Sequence, residues 1–297
     1  MLAQQLLNGI VIGSIYALFA LGFTLVFGIN HILNLAHGAV FMWGAFAALY
    51  VIATLDLPLV VAVLAAALTG GVLAVAVDWI AFRPLRARKA PEFAAIISSI
   101  GAGLILMSVA QQISETKVMR FPFGTFPVVI FELFGLRIQL LQVVIIATVA
   151  LVVGLLTLYL YRTDLGRQIR AVAVNQRTAQ LLGITPGLVF AQVFFISGAL
   201  AGIAGILIGL AFNSVHFLMG EPLLLRAFVV IVLGGLGSIV GAVVAGLLLG
   251  IIQALGVAYL SSGVVDAIIF GLLFLTLVVR PTGLFGGSGS AQRVVRA

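Results

Sequence analysis

The chain has 297 residues, of which 63% are hydrophobic and 8% charged, with a net charge of +7 and no cysteine. Soluble domains carry about 25% charged residues, so a water-soluble fold is excluded and an all-α polytopic membrane protein is expected. The basic residues cluster between or after apolar runs, as in cytoplasmic loops, which argues against nucleic acid as a partner; disulfide and thiol chemistry are excluded.

A helical span needs about 20 mostly apolar residues. The first such run, 5–27, has no basic leader and no convincing A-x-A cleavage site, so it reads as a retained helix. Runs 38–55 and 57–82 follow, parted by little more than Asp56 and Pro58. Next come 94–112, 139–161, 188–212, a long stretch 223–258, and 264–280. These runs predict a single transmembrane domain over 1–297 with about eight transmembrane segments.

Orientation follows from Lys and Arg. Segment 83–92 carries Arg83, Arg86, Arg88 and Lys89; segment 162–187 carries Arg162, Arg167, Arg170 and Arg177; the tail 281–297 carries Arg293 and Arg296. These three are placed in the cytoplasm. Loop 113–138, with Lys117, Arg120 and Arg137 against Glu115 and Glu132, is placed outside. Parity then puts the N-terminus outside and requires 223–258 to start and end outside. That stretch is too short for two full spans, so a broken or re-entrant helix is expected, turning at Gly234, Gly235, Gly237 and Ser238 in "GGLGS". The alternative is that the charge rule misplaces the tail.

Small residues recur four apart at Gly9 and Gly13, Gly198 and Gly202, Gly205 and Gly209, Gly237 and Gly241, and Gly246 and Gly250. That spacing predicts helix faces that pack closely and carries no information about a substrate.

Two polar stretches interrupt the hydrocarbon. In "GINHILNLAHGAVFMWGAF", Asn30, Asn34 and His37 share a face if 30–37 is helical. Such a face should meet protein or water. One reading is a wet loop with Asn30 or Asn34 capping the next helix; the other is a polar break at a translocation path or gate. In 162–187, Asp164 is expected to cap a short helix whose Arg167, Arg170, Val174 and Arg177 lie along one side, opposite Ile169, Val172 and Ala179. That helix could rest on anionic lipid or dock into a partner protein.

Intramembrane charge is costly and marks ion-driven carriers. Asp78, Arg226 and Asp266 are the candidates, and each lies near a predicted span end, where it reads as an interface marker. His31 and His37 do not have the H-E-x-x-H spacing, no G-x-S-x-G occurs, and His216 reads as a solvated loop residue. No G-x-x-x-x-G-K-[ST] is present. Neither an enzyme nor a metal or cofactor site is expected, and any ATP hydrolysis must belong to a separate subunit. The outer loop carries Phe121, Phe123, Phe126, Phe131 and Phe134, a density suited to the membrane interface.

"TDLGRQIRAVAVNQRTAQLLGI", with "NLAHGAVFMWGAF" before it and "VVIVLGGLGSIVGAVVAGLLLG" after it, resembles the permease subunits of ABC importers for branched-chain amino acids, the shorter of the two such systems carry. The similarity is collinear over nearly the whole chain. It implies a multi-pass protein of the bacterial inner membrane, partnered by a second permease, two cytoplasmic ATPase subunits and a periplasmic solute-binding protein. It makes 162–187 the ATPase-coupling segment, with Arg167, Arg170, Arg177, Ala179 and Gly183 at the coupling positions. The general importer signature is degraded there, since Arg177 stands where a glutamate is usual. The match of Asn34 to Gly38 with the family's N-x-A-H-G favours the path or gate reading for Asn30, Asn34, His37 and Gly38, and Gly234, Gly235, Gly237 and Ser238 of the broken helix are expected at the same path or gate. The outer loop, near Glu115 and Arg120, would receive the binding protein. The competing class is a secondary carrier or channel that works without an ATPase.

Overall fold

A computed structural model describes residues 1–133, 135–260 and 262–286. Phe134, Arg293, Arg296 and most of the tail lie outside the described residues. The helices are α1 Leu2–Asn30, α2 His37–Ala53, α3 Leu59–Val77, α4 Arg83–Ala87, α5 Glu92–Ile113, α6 Leu140–Arg162, α7 Asp164–Val174, α8 Gln176–Leu181, α9 Pro186–Phe212, α10 Gly220–Gly234, α11 Ile239–Tyr259 and α12 Ser262–Val279. A π-turn at Asp78–Phe82 joins α3 to α4, so the two run on as one helix. Among the described residues six helices are long and apolar enough to cross a membrane: α1, the joined α3–α4, α5, α6, α9 and α11. Helices α2 and α12 are shorter apolar helices. The protein is thus all-α and polytopic.

The outer loop holds an exception. Strands β1 Ile130–Leu133 and β2 Leu136–Gln139 pair antiparallel with Ile130 opposite Gln139. The alternating exposure of β2 and a positive φ at Gly135 are those of a hairpin.

Helices α1 and α9 form the core, buried along most of their length, with α2, α3, α10 and α11 packed around them. Most of α5, α6 and α12 presents apolar side chains outward, such as Leu104, Ile105, Leu151 and Phe274. Small residues allow the close packing. A Cβ on Gly9 would lie 2.7 Å from the Ile251 backbone, and one on Gly13 2.8 Å from Leu247, so α1 and α11 approach at backbone distance. Gly198 and Gly202 meet Gly70 and Ala66 of α3 in the same way. The expected pair Gly237 and Gly241 does not share a helix face, because Gly237 lies in the turn before α11.

Two ends can be told apart. Gln4 exchanges hydrogen bonds with the Arg137 backbone at 3.0 Å in both directions, which ties the N-terminus to the hairpin. At the opposite end Arg86 stacks over Phe190 at 4.5 Å, and Leu284 N donates to Leu233 O at 2.7 Å. The basic segment 83–92, the start of α9, the turn after α10 and the described tail therefore share one end of the bundle.

Candidate functional site

Helix α1 ends where His31 takes a left-handed φ of 54°. Residues 31–36 are not helical, so the condition under which Asn30, Asn34 and His37 would share a helix face is not met. The left-handed cap ends the helix, and the chain turns back along α1. Asn34 instead ties the turn together: its Oδ1 accepts from Ala36 N at 3.2 Å and its carbonyl accepts from His37 N at 3.2 Å. Ser99 Oγ accepts from Leu35 N at 3.1 Å. His37 is driven back between Phe19 and Gly22, about three turns up α1 from its end. Its Nε2 lies 3.3 Å from Phe19 O. Gly38 then abuts Gly220, so the first turns of α2 and α10 meet inside the bundle.

This break leaves buried polar atoms without partners: both amide atoms of Asn30, Nδ2 of Asn34 and Nδ1 of His37. Each such atom costs about 1–3 kcal/mol. Asn34 and His37 are almost wholly buried.

The turn between α10 and α11 falls at 235–238, as the glycines predict. Gly235 and Gly237 have φ of 98° and 84°, a region side chains other than hydrogen rarely enter. Ser238 Oγ caps α11 by accepting from Gly241 N at 3.0 Å. Gly237 N donates to Thr24 Oγ1 of α1 at 3.3 Å.

The segment 162–187 is not one amphipathic helix. Asn175, extended at φ −160° and ψ 112°, separates α7 from α8, and its Oδ1 accepts from Arg177 N and Thr178 N. Capping therefore overrides the continuous helix that the arginine spacing suggested. Thr163, not Asp164, caps α7, through Gly166 N. Asp164 pairs with Arg167 in the exposed first turn. The arginines part company: Arg170 is half-buried over Tyr161 at 5.3 Å, whereas Arg177 is exposed on α8. Ala179 is buried, and Gly183 ends the unit with φ 81°. The opposite side of the knob carries Leu181 and Leu182, at 84% and 74% exposure.

The structure brings two of the expected groups together. Thr24, Gly28, Ile169, Arg170, Ala173 and Gly237 line one cavity of about 200 Å³. The inner face of α7 thus lies against the end of α1 and the tip of the α10–α11 turn.

Of the charges read as interface markers, Asp78 is buried and paired, Arg226 is half-buried and Asp266 is exposed. Asp78, 3% exposed at the π-turn, forms an ion pair with Arg86 at 2.7 Å, and its other oxygen accepts from Arg86 Nη2 at 3.0 Å. Arg226 Nη1 donates to the Tyr16 hydroxyl at 2.9 Å, Tyr16 donates to Gln253 Oε1 at 2.6 Å, and Arg226 faces Asp266 at 3.6 Å. Tyr16 and Gln253 carried no local signal: each is a lone polar residue in an apolar run. His216 is half-buried and not fully solvated, and burial lowers its pKa below the ordinary imidazole value. Phe121 is buried, its N–H donating to Asn213 Oδ1 at 3.0 Å, while Phe123 stands fully exposed.

Residues 5–278 match the model of the family described as branched-chain amino acid transport system, permease component. The chain is 36% identical over 294 residues to the high-affinity branched-chain amino acid transport system permease protein BraD of Pseudomonas aeruginosa, covering 95% of each chain. It is 37% identical, with the same coverage, to the corresponding permease protein LivH of Escherichia coli K12. A chain of PsaBC from Streptococcus pneumoniae, solved in complex with Fab, aligns over 98% of this chain at 12% identity and a TM-score of 0.49. The chain belongs to the family of permease components of branched-chain amino acid transport systems.

Proposed function

We propose that this chain is one of two permease subunits of an ABC importer that moves branched-chain or related amino acids inward across a bacterial inner membrane. Two cytoplasmic ATPase subunits supply the energy and a periplasmic binding protein delivers the solute. Hydrolysis belongs to the partners, and this subunit transmits and uses the motion. Nine helical segments, α1, α2, the joined α3–α4, α5, α6, α9, α10, α11 and α12, cross or enter the bilayer, with the N-terminus and hairpin outside and 83–92, 162–187 and the tail inside.

One observation carries this reading beyond family membership: the coupling knob α7–α8 sits against the working parts of the bundle. Its inner face meets Thr24, Gly28 and Gly237, and its outer face exposes Leu181 and Leu182. Exposed leucines away from the bilayer are a docking surface for a protein groove. An ATPase that closes on nucleotide would then push α7 against α1 and the α10–α11 turn. The polar break at Asn30, Asn34 and His37 forms the gate. Its buried amides and imidazole set polar groups inside an otherwise apolar bundle, as a solute path requires.

The test is co-purification of the ATPase with Leu181→Asp and Leu182→Asp subunits. The expected result is loss of the ATPase from permease that otherwise assembles normally with its second permease. An ATPase retained at the wild-type ratio by the double variant would contradict the docking.

A further inference from the structure

At the hairpin end, a cavity of about 490 Å³ opens between α1, α6, α9 and α11. That lies within the range of about 300–1,000 Å³ common for small-molecule sites. Its polar lining is carboxamide, from Gln5, Asn8, Gln139, Gln142 and Gln253, with Val11, Ile145 and Ala254 among its apolar residues. None of its lining residues is charged.

The orientation of the amides follows from their partners. Arg226 can only donate, so the Tyr16 oxygen accepts from it and the Tyr16 hydrogen goes to Gln253. That fixes Gln253 Oε1 toward Tyr16 and leaves its NH₂ group as the donor end. Gln142 Nε2 donates to Asn8 Oδ1 at 3.1 Å, and Gln142 Oε1 accepts from Gln139 N at 3.1 Å. Each of these two oxygens keeps a second lone pair.

We propose that this cavity is a solute subsite for a zwitterionic amino acid with an aliphatic side chain, an assignment that rests on the function proposed above. The carboxylate meets the Gln253 amide donors, the ammonium meets the Asn8 and Gln142 oxygens, and the side chain lies on Val11, Ile145 and Ala254. Neutral amides satisfy both charges of a solute whose net charge is zero, and an uncompensated cation or anion would be left unpaired there. The same groups hold the solute without the grip of a buried ion pair, which suits a site that must release its ligand. Gln253 also links the cavity to Arg226 on α10, whose far end is the turn that meets the coupling knob.

The chain contains no cysteine, so a single introduced thiol reports on the cavity. In proteoliposomes of the whole complex, Val257→Cys on the rim should react with a membrane-impermeant maleimide added outside. Millimolar leucine should slow that reaction about tenfold, while lysine and glutamate should not. Ala254→Met, which adds bulk to the cavity wall and leaves the amides in place, should lower leucine uptake about tenfold in complexes that assemble normally. Labelling unaffected by leucine, protection that depends on phosphatidylethanolamine in the vesicles and not on leucine, or wild-type uptake by Ala254→Met would each overturn the assignment. Absence of ATP-driven uptake in the wild-type complex would instead strike the proposed function itself.

Discussion

The bundle is interrupted twice, and the two interruptions are built differently. Between α10 and α11 the chain turns on Gly235 and Gly237, Ser238 caps the next helix, and Thr24 takes the Gly237 N–H. Between α1 and α2 the chain turns on asparagine and histidine and leaves buried amide and imidazole atoms unpaired. The glycine turn closes its hydrogen bonds within the chain, whereas the asparagine–histidine turn leaves polar groups in the interior open to a further partner. The glycine turn therefore reads as the fixed point that the coupling knob presses, and the Asn–His break as the part that changes state.

The difference can be broken from either side. The largest effect is expected at Gly235, where φ is 98° and a Cβ would lie 2.5 Å from Gly286 N. Gly235→Val should abolish assembly of folded permease, measured by size-exclusion profile and yield; a normally assembled variant would mean that the turn is not under this constraint. His37→Leu should behave in the opposite way. Replacing a buried, half-satisfied imidazole with an apolar side chain of similar volume is expected to leave the melting temperature unchanged or raised. Uptake should fall about tenfold if the break is the gate. Uptake at the wild-type rate in His37→Leu and in Asn34→Ala would remove these residues from the mechanism. The smallest effect is expected for Ser238→Ala, which loses one helix cap, worth about 1 kcal/mol. It should lower the melting temperature slightly and leave uptake intact.

The apolar runs made the membrane-spanning architecture legible, because hydrocarbon thickness and helix rise leave few alternatives. The GGLGS turn was legible for a local reason: two glycines with positive φ must sit together. The path candidates stood out as polar residues in an apolar chain, yet their geometry did not. Whether 30–37 continues as helix depends on His31 taking a left-handed cap and on α1 accepting His37 against Phe19 and Gly22. Likewise, Asn175 could have sat in a helix interior, but its Oδ1 accepts from Arg177 N and Thr178 N and so caps α8 instead. The Tyr16, Gln253, Arg226 and Asp266 network was hidden for a different reason. Its members are lone polar residues on four helices, brought together only by the close packing of α1 against α11. The segment 162–187 was legible as a basic, partly amphipathic loop, but attention to charge pointed to the arginines and passed over the exposed Leu181 and Leu182.

The central claim is that force enters at the knob before Pro186 from an engine this polypeptide lacks. The direct measurement is leucine uptake against a gradient in proteoliposomes holding both permeases and the ATPase, with loaded binding protein outside. Accumulation should require hydrolysable ATP at the cytoplasmic face and should vanish when the ATPase is omitted. Accumulation driven by an ion gradient alone, without nucleotide or ATPase, would contradict the account.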